Sequence, residues 1–215
     1  SYESYESYSE PSCCAEGYGE ITRGAVEDLA AALGLSAASP TASFFDLGSG
    51  AGKIPMTMAL QGYATTATGV ELDVGRHLAA VKLAQEYLDE TNLEWAAGNV
   101  TDGSTMGEGL RLLTGDMLEA DLAEATVLYI NQACFPRDVL ELVVAKVMAE
   151  CTKLQAVAAY PPLPALVESG LFIQEKQAGG GKYLELPFSM FDYDTKLTVY
   201  KRSLLATAPG GGIRA

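Results

Sequence analysis

Two hydrophobic periods alternate along the chain. Val26, Leu29, Ala30 and Leu33 recur at helical spacing, so residues 24–33 read as a helix that Gly34 ends. Residues 36–40 read as a loop, and residues 43–47, a short apolar run with two phenylalanines, as a buried strand. A glycine-rich turn and a helix over about residues 53–60 come next. Residues 67–71 form a second strand. Residues 75–90 place Leu78, Val81, Ala84, Tyr87 and Leu88 on one stripe, the mark of an amphipathic helix. Residues 92–109, rich in Gly, Asn, Asp, Ser and Thr, read mainly as loop. Residues 110–114, 126–131 and 154–160 are further strands. Residues 139–148 are helical, with Leu140, Val143, Val144 and Val147 inward. Pro161, Pro162 and Pro164 forbid a helix directly after the fifth strand. Residues 171–202 turn strand-rich around Gly179, Gly180 and Gly181.

Strands alternating with helices imply βαβ units and a mostly parallel, doubly wound α/β sheet, and the terminal strand pair adds an antiparallel edge. A length of 215 residues fits one domain with a full core. The expected organisation is a flexible acidic tail over 1–14, where Ser, Tyr and Glu repeat, one domain over 15–205, and a Gly-rich tail over 206–215.

Charge narrows the function. Against 14 Lys+Arg stand 28 Asp+Glu, a net charge of −14, which argues against strong intrinsic nucleic-acid binding and leaves room for a basic partner, whose approach a negative field would favour. No uncharged apolar run is long enough for a membrane span, and no basic-then-apolar leader opens these residues, so an intracellular protein is expected. The spacing of Cys13, Cys14, Cys134 and Cys151 suits neither a disulfide framework nor zinc; reduced thiols and no metal are expected.

The chemistry concentrates after the first strand, in Asp46-Leu47-Gly48-Ser49-Gly50-Ala51-Gly52-Lys53. Strand, three alternating glycines and a helix N-terminus together let backbone approach a ligand closely and present free N–H groups. A dinucleotide fingerprint would need its third glycine at Lys53, but here it is Gly52. Glu71 ends the second strand, where a carboxylate accepts hydrogen bonds from ribose hydroxyls. Gly115-Asp116-Met117 follows the third, and reads alternatively as a plain turn. The three acids line the C-terminal edge of the sheet, where open α/β folds bind ligands. Asn131 ends the fourth strand and offers both an acceptor and a donor, or else caps the next helix.

The pattern Asp-x-Gly-x-Gly-x-Gly resembles motif I of class I S-adenosylmethionine-dependent methyltransferases, which implies a Rossmann-like, seven-stranded sheet. Taken with Tyr18-Gly19-Glu20, Gly69-Val70-Glu71, Ile130-Asn131-Gln132-Ala133-Cys134-Phe135 and Tyr160-Pro161-Pro162-Leu163, it resembles the catalytic domain of the DOT1 family, which methylates a lysine in the globular core of histone H3. The resemblance covers residues 18–202. It implies S-adenosyl-L-methionine as cofactor, held by Tyr18, Glu20, Asp46, Gly48, Ser49, Gly50, Gly52, Lys53, Glu71, Asp116, Met117 and Asn131. Asp116 would face the adenine amino group with Met117 on the ring, and Glu20 would grip the methionine amino group from a lid loop. Asn131, Tyr18 and Phe135 would form the catalytic channel around a deprotonated amine.

Ile21, Lys53, Met117, Gln132 and Ala133 depart from the family's usual residues, and no Lys/Arg-rich nucleosome-binding segment is present. The resemblance therefore bears more on cofactor binding than on the acceptor. A DOT1-like protein-lysine methyltransferase, nuclear if directed at histones, is the first expectation. A cytoplasmic class I enzyme with a small-molecule or non-histone acceptor is the second, and a scaffold that binds the cofactor without turnover the third. His77 is read as a satisfied or exposed helix residue rather than a general base, Trp95 and Tyr63 as packing residues, and Cys13-Cys14 as no site.

Overall fold

The apolar pair Phe44 and Phe45 shows how the chain is layered. Successive residues of a strand face opposite ways, and these two rings enter two separate hydrophobic cores, one on each face of a central sheet. The computed structural model describes residues 21–22, 24–88, 91–101, 109–131, 135–177, 180–187 and 195–204. In chain order its elements are α1 (Ala25–Leu33), β1 (Ser43–Leu47), α2 (Lys53–Leu60), β2 (Thr66–Glu71), α3 (Val74–Leu88), β3 (Trp95–Asn99), β4 (Gly109–Thr114), β5 (Val127–Asn131), α4 (Arg137–Glu150), β6 (Ala156–Tyr160), α5 (Pro164–Glu168), β7 (Phe172–Gln174), β8 (Leu184–Leu186) and β9 (Thr195–Arg202).

The strand order is β3-β4-β2-β1-β5-β6-β9-β7, with β8 also paired to β9. All ladders from β3 to β6 are parallel, and β9 runs antiparallel to β6, β7 and β8. The chain leaves β1 towards β2 and β4, then returns to lay β5 on the other side of β1. That reversal opens a crevice at the C-terminal ends of β1 and β5, where such sheets take their ligands. One core packs α1, α2 and α3 on the sheet. The other packs α4, α5 and residues of the 117–125 segment on the opposite face.

Most elements match the sequence reading, including the buried face of α1 and the left-handed Gly34 that ends it. Val143, Val144 and Val147 are buried on α4, as expected. Four differences stand out. The sheet has nine strands among the described residues where seven were expected, through β3 and the three-residue β8. Residues 95–99, read as loop, form β3, because β4 offers them a ladder from Trp95↔Leu110 to Asn99↔Thr114. Gly98 and Asn99 have little strand preference of their own, so only the long-range pairing settles their state.

The third difference is in α3. Its buried residues are His77, Ala80, Ala84 and Leu88, while Leu78 and Tyr87 point to solvent. Small alanines let the helix lie close on β2 and β4, which rotates the buried stripe away from the larger apolar residues. Fourth, α4 is longer than expected, reaching Glu150.

After β6 the helix α5 waits until Pro164, a residue suited to a first helical turn. The buried Tyr200 hydroxyl of β9 accepts the Leu163 N–H at 2.7 Å and anchors this turn. Trp95 and Tyr63 pack against the first core. Cys151 is a buried free thiol. Burial, then the charges of Glu150 and Asp121, push its pKa to about 11 against the opposing pull of Lys146. No described helix is long and apolar enough to cross a membrane. Among the described residues no group of His, Cys, Asp and Glu is arranged to hold a metal ion.

Candidate active site

The glycines between β1 and α2 all take positive φ: 93° at Gly48, 56° at Gly50 and 71° at Gly52. Side chains rarely adopt these angles, so the sequence pattern marks a turn that only glycine builds readily. At Gly52 space is tight as well. A Cβ there would sit 3.0 Å from Leu112 Cδ2 and 3.1 Å from Ala80 Cβ.

The turn lies along the end of β2. The N–H groups of Gly48 and Ser49 donate to Val70 O at 2.8 and 2.9 Å. Gly50 N–H donates to Glu71 Oε2 at 2.8 Å. Glu71 Oε1 accepts the Asp73 N–H at 2.9 Å and lies 3.7 Å from Arg76 Nη1. Asp73 Oδ1 in turn accepts the Arg76 N–H at 2.8 Å, an N-cap for α3. Glu71 is 6% exposed and Asp46, at the end of β1, 2%. A buried carboxylate is costly unless it is hydrogen-bonded, and Glu71 meets that condition by tying two loops together.

His77 also lies here. It is buried on α3, and burial lowers its pKa from the usual 6.5 while the Glu71 charge acts to raise it. Of the two sequence readings, a satisfied or an exposed helix residue, burial excludes the exposed one.

Asp116 behaves differently. It is exposed, and its Oδ1 accepts the Leu118 N–H at 2.8 Å within its own turn. Gly115 before it has φ 138°, and a Cβ there would meet Val100 Cγ2 at 2.5 Å. Met117 is buried in the second core. Lys53 is exposed at the first position of α2.

Asn131 is half-buried at the end of β5, and Phe135 packs against the second core. Asn131 does not cap α4. The N-cap is Pro136, and no side chain caps that helix. Tyr18 and Glu20 lie outside the described residues, as do Gln132, Ala133 and Cys134. The structure thus gathers Asp46, Gly48, Ser49, Gly50, Gly52 and Glu71 into one assembly, with Asp116 and Asn131 at the ends of the strands flanking β2 and β1.

Sequence reasoning passed over two positions. Asp73 joins the Glu71 network, and the signal for it was the Asp before a helix with its N–H partner three residues on. Leu72 directly follows Glu71 and is 65% exposed, with Val74 also exposed beside it. The two stand exposed together at the C-terminal edge of the sheet, and in sequence each reads as an ordinary residue of a strand end.

These residues fit an adenosine-type cofactor: a glycine turn that brings backbone close, two buried carboxylates at adjacent strand ends, and an apolar side chain beside them.

The family model described as Histone methylation protein DOT1 matches residues 2–162. Among curated proteins the sequence finds no match. Solved structures share the fold. The magnesium protoporphyrin IX methyltransferase ChlM from Synechocystis PCC 6803, with bound S-adenosylmethionine, superposes with a TM-score of 0.58 at 15% identity, covering 84% of this chain and 79% of its own. The B. subtilis tRNA methyltransferase TrmK gives a TM-score of 0.54 at 15% identity, covering 86% and 67%.

Proposed function

The chain belongs to the DOT1 histone methylation family and is an S-adenosylmethionine-dependent methyltransferase, and from that premise we propose that it transfers methyl groups to the side-chain amine of lysine in a protein. The observation that carries the cofactor half of this reading is the contact between Gly50 N–H and Glu71 Oε2, which seats the glycine turn on the end of β2. In this reading Asp46, Gly48, Ser49, Gly50, Gly52 and Lys53 form the floor for the cofactor. Glu71 keeps acceptor capacity for ribose hydroxyls beyond the two amides it already holds, since a carboxylate has about four lone-pair sites. Asp116 takes the adenine amino group, Leu72 lies against the ring, and Met117 supports that wall from within the core. Tyr18 and Glu20 close over the methionine end.

Bound S-adenosylmethionine supplies an electrophilic sulfonium methyl. The protein's part is to deliver a neutral amine in line with it, since free lysine has a pKa of about 10.4. Phe135 and Tyr18 exclude water from the channel, which disfavours the ammonium form. Asn131, at the crevice, orients the nitrogen through its amide oxygen. Its freedom from helix capping supports that role.

One observation favours a second acceptor class. The net charge of −14, without a Lys/Arg-rich segment, repels nucleosomal DNA. A non-histone protein or a small amine then accepts the methyl group. An assay with methyl-labelled cofactor on nucleosomes, free histones and cell lysate, whose protein and small-molecule fractions are counted apart, separates these. The lysine reading expects label on protein; label confined to the small-molecule fraction overturns it. Label on H3 in nucleosomes alone assigns the histone acceptor.

A further inference from the structure

We infer that Gly69, in the middle of β2, is a positioning residue that sets the glycine turn on the cofactor side of the sheet. The inference rests on the reading of that turn as the cofactor floor. Gly69 differs from the turn glycines because its backbone is ordinary strand, paired to Asp46 on β1 and Leu112 on β4, and its φ is not in the left-handed region. Conformation therefore does not require glycine there. Space does. A Cβ at Gly69 would lie 2.7 Å from Ser49 Oγ, 2.9 Å from Ser49 Cβ and 3.0 Å from Pro55 Cγ. Ser49 and Pro55 are both buried. The missing side chain is the seat into which the turn and the first residues of α2 settle.

The geometry makes this a register device. Residues 69 and 71 of a strand face the same side. Ser49 rests on Gly69 while the next residue, Gly50, donates its N–H to Glu71 at 2.8 Å. Between them Val70 O receives the N–H groups of Gly48 and Ser49. Three consecutive residues of β2 thus hold three consecutive residues of the turn. A methyl group on Gly69 lifts Ser49, and the amide of Gly50 leaves Glu71 with it. Well-packed sites tolerate an added methyl poorly because the neighbours must shift. Here the neighbours are the turn itself, so the cost falls on ligand affinity as well as on stability.

The test is calorimetric titration of S-adenosylmethionine against the wild-type chain, Gly69→Ala, and Gly69→Ala combined with Ser49→Gly, with thermal unfolding run in parallel. Gly69→Ala is expected to weaken binding by about tenfold or more. The double variant, which removes both Ser49 atoms nearest the new methyl, is expected to recover a large part of that loss. A purely structural role would lower the unfolding temperature without this specific rescue. If Gly69→Ala binds within about twofold of wild type, or if Ser49→Gly rescues nothing, the inference is overturned. Should Gly69→Ala alone fail to fold, the double variant reads the same contact, since Ser49→Gly removes the atoms the new methyl meets. Recovered folding and binding in the double variant support the seat, and a double variant that fails like the single one overturns it. Failure of the wild-type chain to bind overturns instead the cofactor reading on which the inference rests, so the two failures are distinct.

Discussion

Glu71 ends β2 and Asp116 follows two residues after the neighbouring parallel strand β4, so both present the same chemical group at the same edge of the sheet. Glu71 is buried, holds the N–H groups of Gly50 and Asp73, and lies beside Arg76. Asp116 is exposed and, among the described residues, closes only its own turn through Leu118 N–H. One carboxylate is bound into the scaffold and, in the proposed reading, also serves the ligand; the other, among the described residues, accepts only from the amide two residues on. Two acids that look equivalent in sequence therefore carry different loads, because burial makes each unmade hydrogen bond expensive.

The sharpest way to break that contrast is at the turn itself. Glu71→Ala strands the Gly50 N–H in a buried place, and Gly50→Arg both strains the φ of 56° and fills the floor. Each is expected to reduce S-adenosylmethionine affinity by at least about a hundredfold in calorimetric titration. Unchanged affinity for Gly50→Arg would sink the assignment of the site.

Asn131→Ala probes the crevice on the other side of β1. It is expected to leave cofactor affinity within about twofold while turnover falls about a hundredfold, since the loss is one of orientation. Equal losses in both would move Asn131 to the cofactor floor.

Asp116→Ala is expected to cost about tenfold in affinity, the scale of one hydrogen bond to a charged group, with little change in unfolding temperature. If it instead matches Glu71→Ala in both measurements, the contrast between the two strand ends fails.

The smallest effect concerns His77, which is buried beside Glu71. Burial lowers its folded pKa below the usual 6.5, so as pH falls the unfolded chain takes up the proton first. Its contribution is complete above pH 6.5 and declines as pH drops through that value towards the folded pKa. His77→Gln is expected to flatten the dependence of unfolding temperature on pH between neutral and mildly acidic conditions. An undiminished slope in the variant would assign that dependence to other groups.

Local patterns carried much of this molecule. The helix α1 with its closing Gly34, the strands β1, β2, β4, β5 and β6, and the glycine turn all announce themselves through period, caps and residues that only one conformation accepts. The acids at 46, 71 and 116 were legible for the same reason, as polar residues closing apolar strands.

Other features depend on partners far along the chain. β3 exists because β4 lies beside it; the buried stripe of α3 follows how closely its alanines approach the sheet. Nothing local in Gly69-Val70-Glu71 says that the first residue is a seat for Ser49 or that the third is bound to Gly50. Sequence by itself determined where the glycine turn and the acids at the strand ends lie along the chain, because propensity and spacing are local quantities. Only the tertiary structure decided which of them are bound into the scaffold and which are left open, because burial and hydrogen-bond partnership arise when distant strands meet.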